Sequence, residues 1–249
     1  MEWCDMRADF LHNWRSYVKI RNQAIVGIKF TDRREQLICG LFSRVDGLSQ
    51  EIIKLLKSEG SLGCPPMMRS ALESYIDLKC LKKDEKYVYE FEAMHVDSQI
   101  KYYKAYSDEN IWFKEMSEAE VNLKIEELKE RKNDLLEGRK KPMRLKERFE
   151  MAEESHAYDT IYHNLSNFVH SSVVALANQY DGKNQVLNMK PKESQTNYYY
   201  SSTINLCCAT LIETLEALGH KEHIIDELQN VMKAVNKKAR CVSVTRGEV

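Results

Sequence analysis

The chain has 249 residues, 30% of them charged and 43% hydrophobic, with 37 Lys and Arg set against 38 Asp and Glu. So even a balance excludes a protein that attracts nucleic acid or an anionic membrane through its overall field, and any anion site must be local. No stretch approaches the roughly 18 apolar residues of a membrane span, and the first residues have no apolar core behind a basic end; a cytoplasmic, non-membrane protein is expected.

Only 9 Gly and 4 Pro punctuate the sequence, which favours long helices over many short strands. The expected fold is all-α: a multi-helix bundle of about seven or eight helices, single-domain over residues 1–238, with a basic C-terminal tail at 239–249. The seven cysteines include no CxxC pair, so reduced, mostly buried thiols are expected, with no bound metal and no cofactor.

Leu11, Trp14, Val18 and Ile25 recur with a helical period that ends near Gly27. Thr31-Asp32 can cap a second helix whose stripe runs Leu37, Leu41, Val45, Leu48, Ile52 and Leu55 up to Gly60. Pro65-Pro66 opens a third helix, where a missing N–H costs least. A fourth, rich in aromatics, is predicted to run to about Asn110. Ser117 and Glu120 form a capping box for a fifth, whose charged body to Gly138 reads as an exposed helix or hairpin arm, the arm spanning 117–148 in all. Pro142 opens a further helical stretch that bends near Ser155 and reaches Tyr180. Residues 181–196 lack periodicity and read as one long loop. A stripe from Ile204 to Leu218 and a shorter helix over 224–235 complete the chain.

Three features carry chemistry. His156, His163 and His170 stand seven apart, and at 100° per residue they share one arc with Asp159 and Ser166. Such a line offers an imidazole that exchanges protons near neutral pH, a carboxylate to orient it and a hydroxyl, or else it is the polar flank of an amphipathic helix. Seven residues span about 10 Å of helix, too far for one metal ion.

Arg69 and Glu73 lie one turn apart: an arginine held by a carboxylate can bind phosphate, although an i,i+4 surface pair is the plainer reading. The run from Gly138 to Arg148 holds six basic residues against one acidic, among them Arg139, Lys140, Lys141 and Arg144. It offers phosphate contacts, unless it is a solvated face paired with the acidic segment before it.

With Met68-Arg69-Ser70-Ala71-Leu72-Glu73 followed by Tyr162-His163-Asn164-Leu165-Ser166-Asn167-Phe168-Val169-His170, the chain resembles a bacterial all-helical family known as a domain of unknown function. Its Arg-x-x-x-Glu and Tyr-x-x-x-Ser-x-x-x-His patterns fall on Arg69, Glu73, Tyr162, Ser166 and His170, and the resemblance covers roughly residues 30 to 220. More distantly the chain is similar to the HEPN helical bundles, many of them metal-independent ribonucleases of toxin–antitoxin and antiviral defence systems.

That resemblance implies RNA as substrate and a homodimer. It implies His170 and His163 as general base and acid, Arg69 steadied by Glu73 at the phosphate, and Tyr162 and Ser166 positioning the substrate. The alternative is a non-catalytic immunity, sensor or scaffold subunit that binds a partner protein, encoded nearby, through the 117–148 arm. On that view Arg69, Glu73, Ser166 and His170 form a polar network that fixes helix register.

Overall fold

A computed structural model of the chain describes residues 3–107, 109–113, 116–169, 180–181, 186–187, 193–219 and 222–244. The fold is all-α, as expected. Its helices are α1 (Trp3–Ala24), α2 (Arg33–Lys57), α3 (Cys64–Lys83), α4 (Tyr87–Tyr103), α5 (Glu118–Leu135), α6 (Leu145–Met151), α7 (Ser155–Ala157), α8 (His163–Val169), α9 (Glu193–Ala217) and α10 (Glu222–Val244). A π-helical turn, Tyr158–Tyr162, joins α7 to α8 into one rod. Tyr180, the expected end of the helical stretch, lies instead in a two-residue strand, Tyr180–Asp181, antiparallel to Val186–Leu187 of the expected 181–196 loop, whose last residues start α9.

The local signals act as their chemistry dictates. Asp32 caps α2 by accepting from the Glu35 amide at 2.8 Å, and Ser117 and Glu120 cap α5 reciprocally. Gly27, at φ +82, turns the chain out of α1 where an L side chain would be strained.

The third helix lies at the centre, packed against α2, α9, α8, α6 and α4. The main core gathers Tyr17, Ile38, Leu56, Ile76, Leu78, Phe149, Tyr200 and Leu211, all buried; each such aliphatic side chain contributes roughly 1.5–3 kcal/mol. On α1 Phe10, Trp14, Tyr17, Ile20 and Ala24 are buried; of the expected stripe Trp14 is in the core, Leu11 and Val18 pack on its edge and Ile25 is exposed. Asp46, itself buried on α2, ties that helix to α1 by accepting from the Tyr17 hydroxyl at 2.7 Å and from Arg21 at 2.6 Å.

Helices α4 and α5 form a hairpin with small cores of their own. Val96, Ile100 and Leu128 make one, and Phe113, Val121 and Ile125 the other. Helix α5 belongs to the expected 117–148 arm, and α4 supplies the other side of its apolar seam. Two predicted boundaries need correction. Helix α4 stops at Tyr103 rather than Asn110, because Tyr102, Tyr103 and Tyr106 close around Phe113 beyond the turn. The last helix runs past 235 to Val244, into the expected tail: Lys, Ala and Arg are good helix formers and no Gly or Pro stops it.

Candidate functional site

Residues four apart on α3 stack along one side of the helix. Arg69, Glu73 and Asp77 form such a line, and it faces the rod of α7, the π turn and α8 together with α6. Arg69 donates from Nε to Glu73 Oε1 at 3.1 Å, and the Tyr162 hydroxyl, 89 positions away, donates to the same oxygen at 3.0 Å. The Arg69 guanidinium carbon sits 4.9 Å from the Tyr162 ring centroid, a cation–π contact worth about 0.5–1 kcal/mol at an exposed site. Tyr162 is 7% exposed, whereas the Arg69 side chain stays 28% and Glu73 34% exposed. The result is a guanidinium fixed in orientation but open to solvent.

Tyr162 is held from below. Tyr158 stacks on it at 5.4 Å with the planes 10° apart, and Phe149 of α6 meets both rings at 5.3 and 5.5 Å. Both tyrosines lie in the π turn, a device that recurs at functional sites. Burial, then the neighbouring Glu73 carboxylate, raises the Tyr162 phenol above its ordinary range, so it stays a hydrogen-bond donor. For Arg69 burial works against the charge, but Tyr162 and Glu73 outweigh it and the guanidinium is raised.

The structure therefore brings Arg69, Glu73 and Tyr162 together. Ser166, half-buried one turn on, donates its hydroxyl to the Tyr162 carbonyl at 2.9 Å and so braces its own helix. His163 is exposed beside Tyr162, and His156 and Asp159 are exposed as well. The wider π turn puts His156 and Asp159 out of the register that a uniform 3.6-residue period gives them relative to His163. His170 lies outside the described residues.

Beyond Glu73 the line continues into a buried ion pair that the sequence did not announce. Arg148 of α6 donates to Asp77 Oδ1 at 2.7 Å, and the Tyr87 hydroxyl donates to the same atom at 2.7 Å. Asp77 is 7% exposed; burial pushes its carboxyl above the ordinary value, and Arg148 and Tyr87 pull against that. Four-residue spacing after Arg69 and Glu73 was the available signal.

The basic run divides. Arg139 is engaged by buried Glu90, which also accepts from the Met143 amide and so clasps the 139–143 loop to α4. Lys140, Lys141 and Arg144 instead face a cleft on the arm. Among the described residues no three His, Cys, Asp or Glu side chains group as metal ligands, and no helix is long and apolar enough to cross a membrane.

These features define an all-helical bundle with a half-exposed Arg–Glu–Tyr cluster across its central helix. The chain belongs to a family of unknown function (DUF5677), whose model matches residues 35–185. The match takes in α2 through α8, and with them Arg69, Glu73 and Tyr162; α1, α9 and α10 complete the core from outside it. No curated protein and no solved structure matches the chain.

Proposed function

We propose that the protein is a HEPN-like ribonuclease of the bacterial defence or toxin type. The observation that carries the reading is Arg69, oriented by Glu73 and by the face of Tyr162 and still open to solvent. A guanidinium held that way presents N–H donors to phosphate oxygens without first having to be ordered.

In the reaction, His170 takes the proton from a ribose 2′-hydroxyl and the 2′-oxygen attacks the adjacent phosphorus. Arg69 neutralises the charge that builds on the non-bridging oxygens. As the bond to the 5′-oxygen breaks, His163 gives that oxygen a proton, leaving a 2′,3′-cyclic phosphate and a 5′-hydroxyl. His163 stands on the solvent side one residue beyond Tyr162; the part of His170 rests on its place in the histidine line and on the resemblance. A homodimer, as in HEPN bundles, sets two such clusters facing one cleft. The test is total RNA incubated with purified protein in EDTA: cyclic-phosphate ends from the wild type and none from Arg69→Ala are expected, whereas intact RNA overturns the reading.

One observation favours the alternative of a partner-binding module. Leu123 on the 117–148 arm is 64% exposed, and Tyr102 at 53% and Ile111 at 63% extend that apolar surface onto the neighbouring α4 side. On that reading Arg69, Glu73 and Tyr162 fix helix register, RNA stays intact, and Leu123→Glu abolishes capture of the protein encoded beside this chain.

A further inference from the structure

The arm carries a basic cleft of about 540 Å³ between α4, the end of α5 and the loop that Glu90 clasps. We infer that this cleft is the groove along which single-stranded RNA lays its phosphate backbone on the way to Arg69, with Lys104, Lys140 and Lys141 as the phosphate-binding residues. The inference rests on the reading of RNA as the substrate.

Six cationic side chains line the cleft, from three separate segments: Lys101 and Lys104 on and just after α4, Lys132 on α5, and Lys140, Lys141 and Arg144 on the loop. Asp97 is the one carboxylate in the lining, and it is already taken, by Lys101 at 2.9 Å and Lys132 at 3.1 Å. Glu147 holds Arg144 at 2.9 Å. Lys104, Lys140 and Lys141 are exposed and have no carboxylate partner among the described residues. Unneutralised charge in a concavity attracts a polyanion far better than the same lysines spread over a convex surface, because the low-dielectric walls focus the field.

The ligand is narrowed by two further features. Met94, Pro142 and Met143, each partly exposed, supply apolar surface in the same cleft, suited to base faces between backbone contacts. The volume is that of a small-ligand site, so it takes a short stretch of strand at a time. The path also continues: a second hollow of about 490 Å³ is lined by Arg144, Lys146 and Tyr158 together with Glu147, which Arg144 holds, and Glu150. Tyr158 stacks on Tyr162, which carries Arg69. A strand in the cleft therefore leads toward the guanidinium proposed to hold the scissile phosphate. A free nucleoside polyphosphate shares the phosphate chemistry but needs no such continuation.

The test is fluorescence anisotropy of a labelled single-stranded RNA over a salt series, with tripolyphosphate and ATP as competitors. Each lysine–phosphate contact contributes about 0.7 to the slope of log affinity against log salt for a single strand, so K104Q/K140Q/K141Q is expected to bind more weakly with a slope shallower by about 2. The charge-matched variant K19Q/K29Q/K57Q, altered at exposed lysines away from the cleft, is expected to keep the wild-type slope. Equal slopes for wild type and cleft variant overturn the inference. So does tight ATP or tripolyphosphate binding beside RNA binding that the cleft variant leaves unchanged. Arg69→Ala separates this from the cleavage reading: a protein that cuts nothing but binds RNA with a slope lower only by about the 0.7 of its one lost contact leaves the cleft standing alone.

Discussion

Arg69 and the Tyr162 hydroxyl share one oxygen of Glu73, so a single carboxylate fixes both the cation and the ring beneath it. Removing that carboxylate frees the guanidinium and the phenol together. Glu73→Ala is expected to cut RNA cleavage nearly as far as Arg69→Ala does, while RNA binding stays close to wild type. Arg69→Lys is expected to recover little activity, because an ammonium has neither the planar fork nor the stacking surface. Initial cleavage rates for the three variants check this.

Tyr162→Phe keeps the ring under Arg69 and deletes only the hydrogen bond. A loss of about 1 kcal/mol in urea unfolding is expected, against roughly 3–5 kcal/mol for truncation to alanine, which empties the space beside Phe149 and Tyr158. Ser166→Ala is expected to change cleavage little, since that hydroxyl bonds to its own helix.

Asp77 and Arg148 form the more costly relationship, because Asp77 is buried and the Arg148 side chain is only 13% exposed. Asp77→Ala leaves an uncompensated buried cation and is expected to lose about 3–5 kcal/mol, whereas the paired change Asp77→Leu with Arg148→Met is expected to recover most of that. Denaturation midpoints of the single and paired variants decide it; equal losses in both would place the contribution outside the ion pair.

Acid is expected to loosen the arm before the core. Burial tends to raise the Asp97 carboxyl, but Lys101 and Lys132 outweigh it and hold it below the usual carboxylate value. A carboxyl depressed in the folded state contributes stability in full above its unfolded pKa and loses it as pH falls through the folded one. The protection of α5 amides, measured against their intrinsic exchange rates, should therefore fall on acidification below the ordinary carboxylate range, and Asp97→Asn should abolish that step. Unchanged pH dependence in the variant would remove Asp97 as the cause.

The sequence alone disclosed the parts of this fold whose causes are local. Asp32 and Ser117 with Glu120 mark helix starts because a cap satisfies an amide a few residues away, and Pro65 with Pro66 because the first turn has no use for their missing N–H; each acts as expected. Arg69 beside Glu73 was equally visible, but their meeting with Tyr162 is tertiary and came into view only through a resemblance between motifs. The π turn was hidden for a related reason: Tyr158 and Tyr162 pack on Phe149, and an even helical period cannot anticipate the wider turn. Arg148 was disguised by its neighbours, since one buried arginine at the end of a basic run looks like another solvated charge.

The most direct measurement is the chemistry of the RNA ends. Wild-type protein in EDTA is predicted to leave 2′,3′-cyclic phosphates on a single-stranded RNA, with Arg69→Ala and His163→Ala each leaving the strand uncut. Cleavage that persists at the wild-type rate in folded Arg69→Ala would contradict the account.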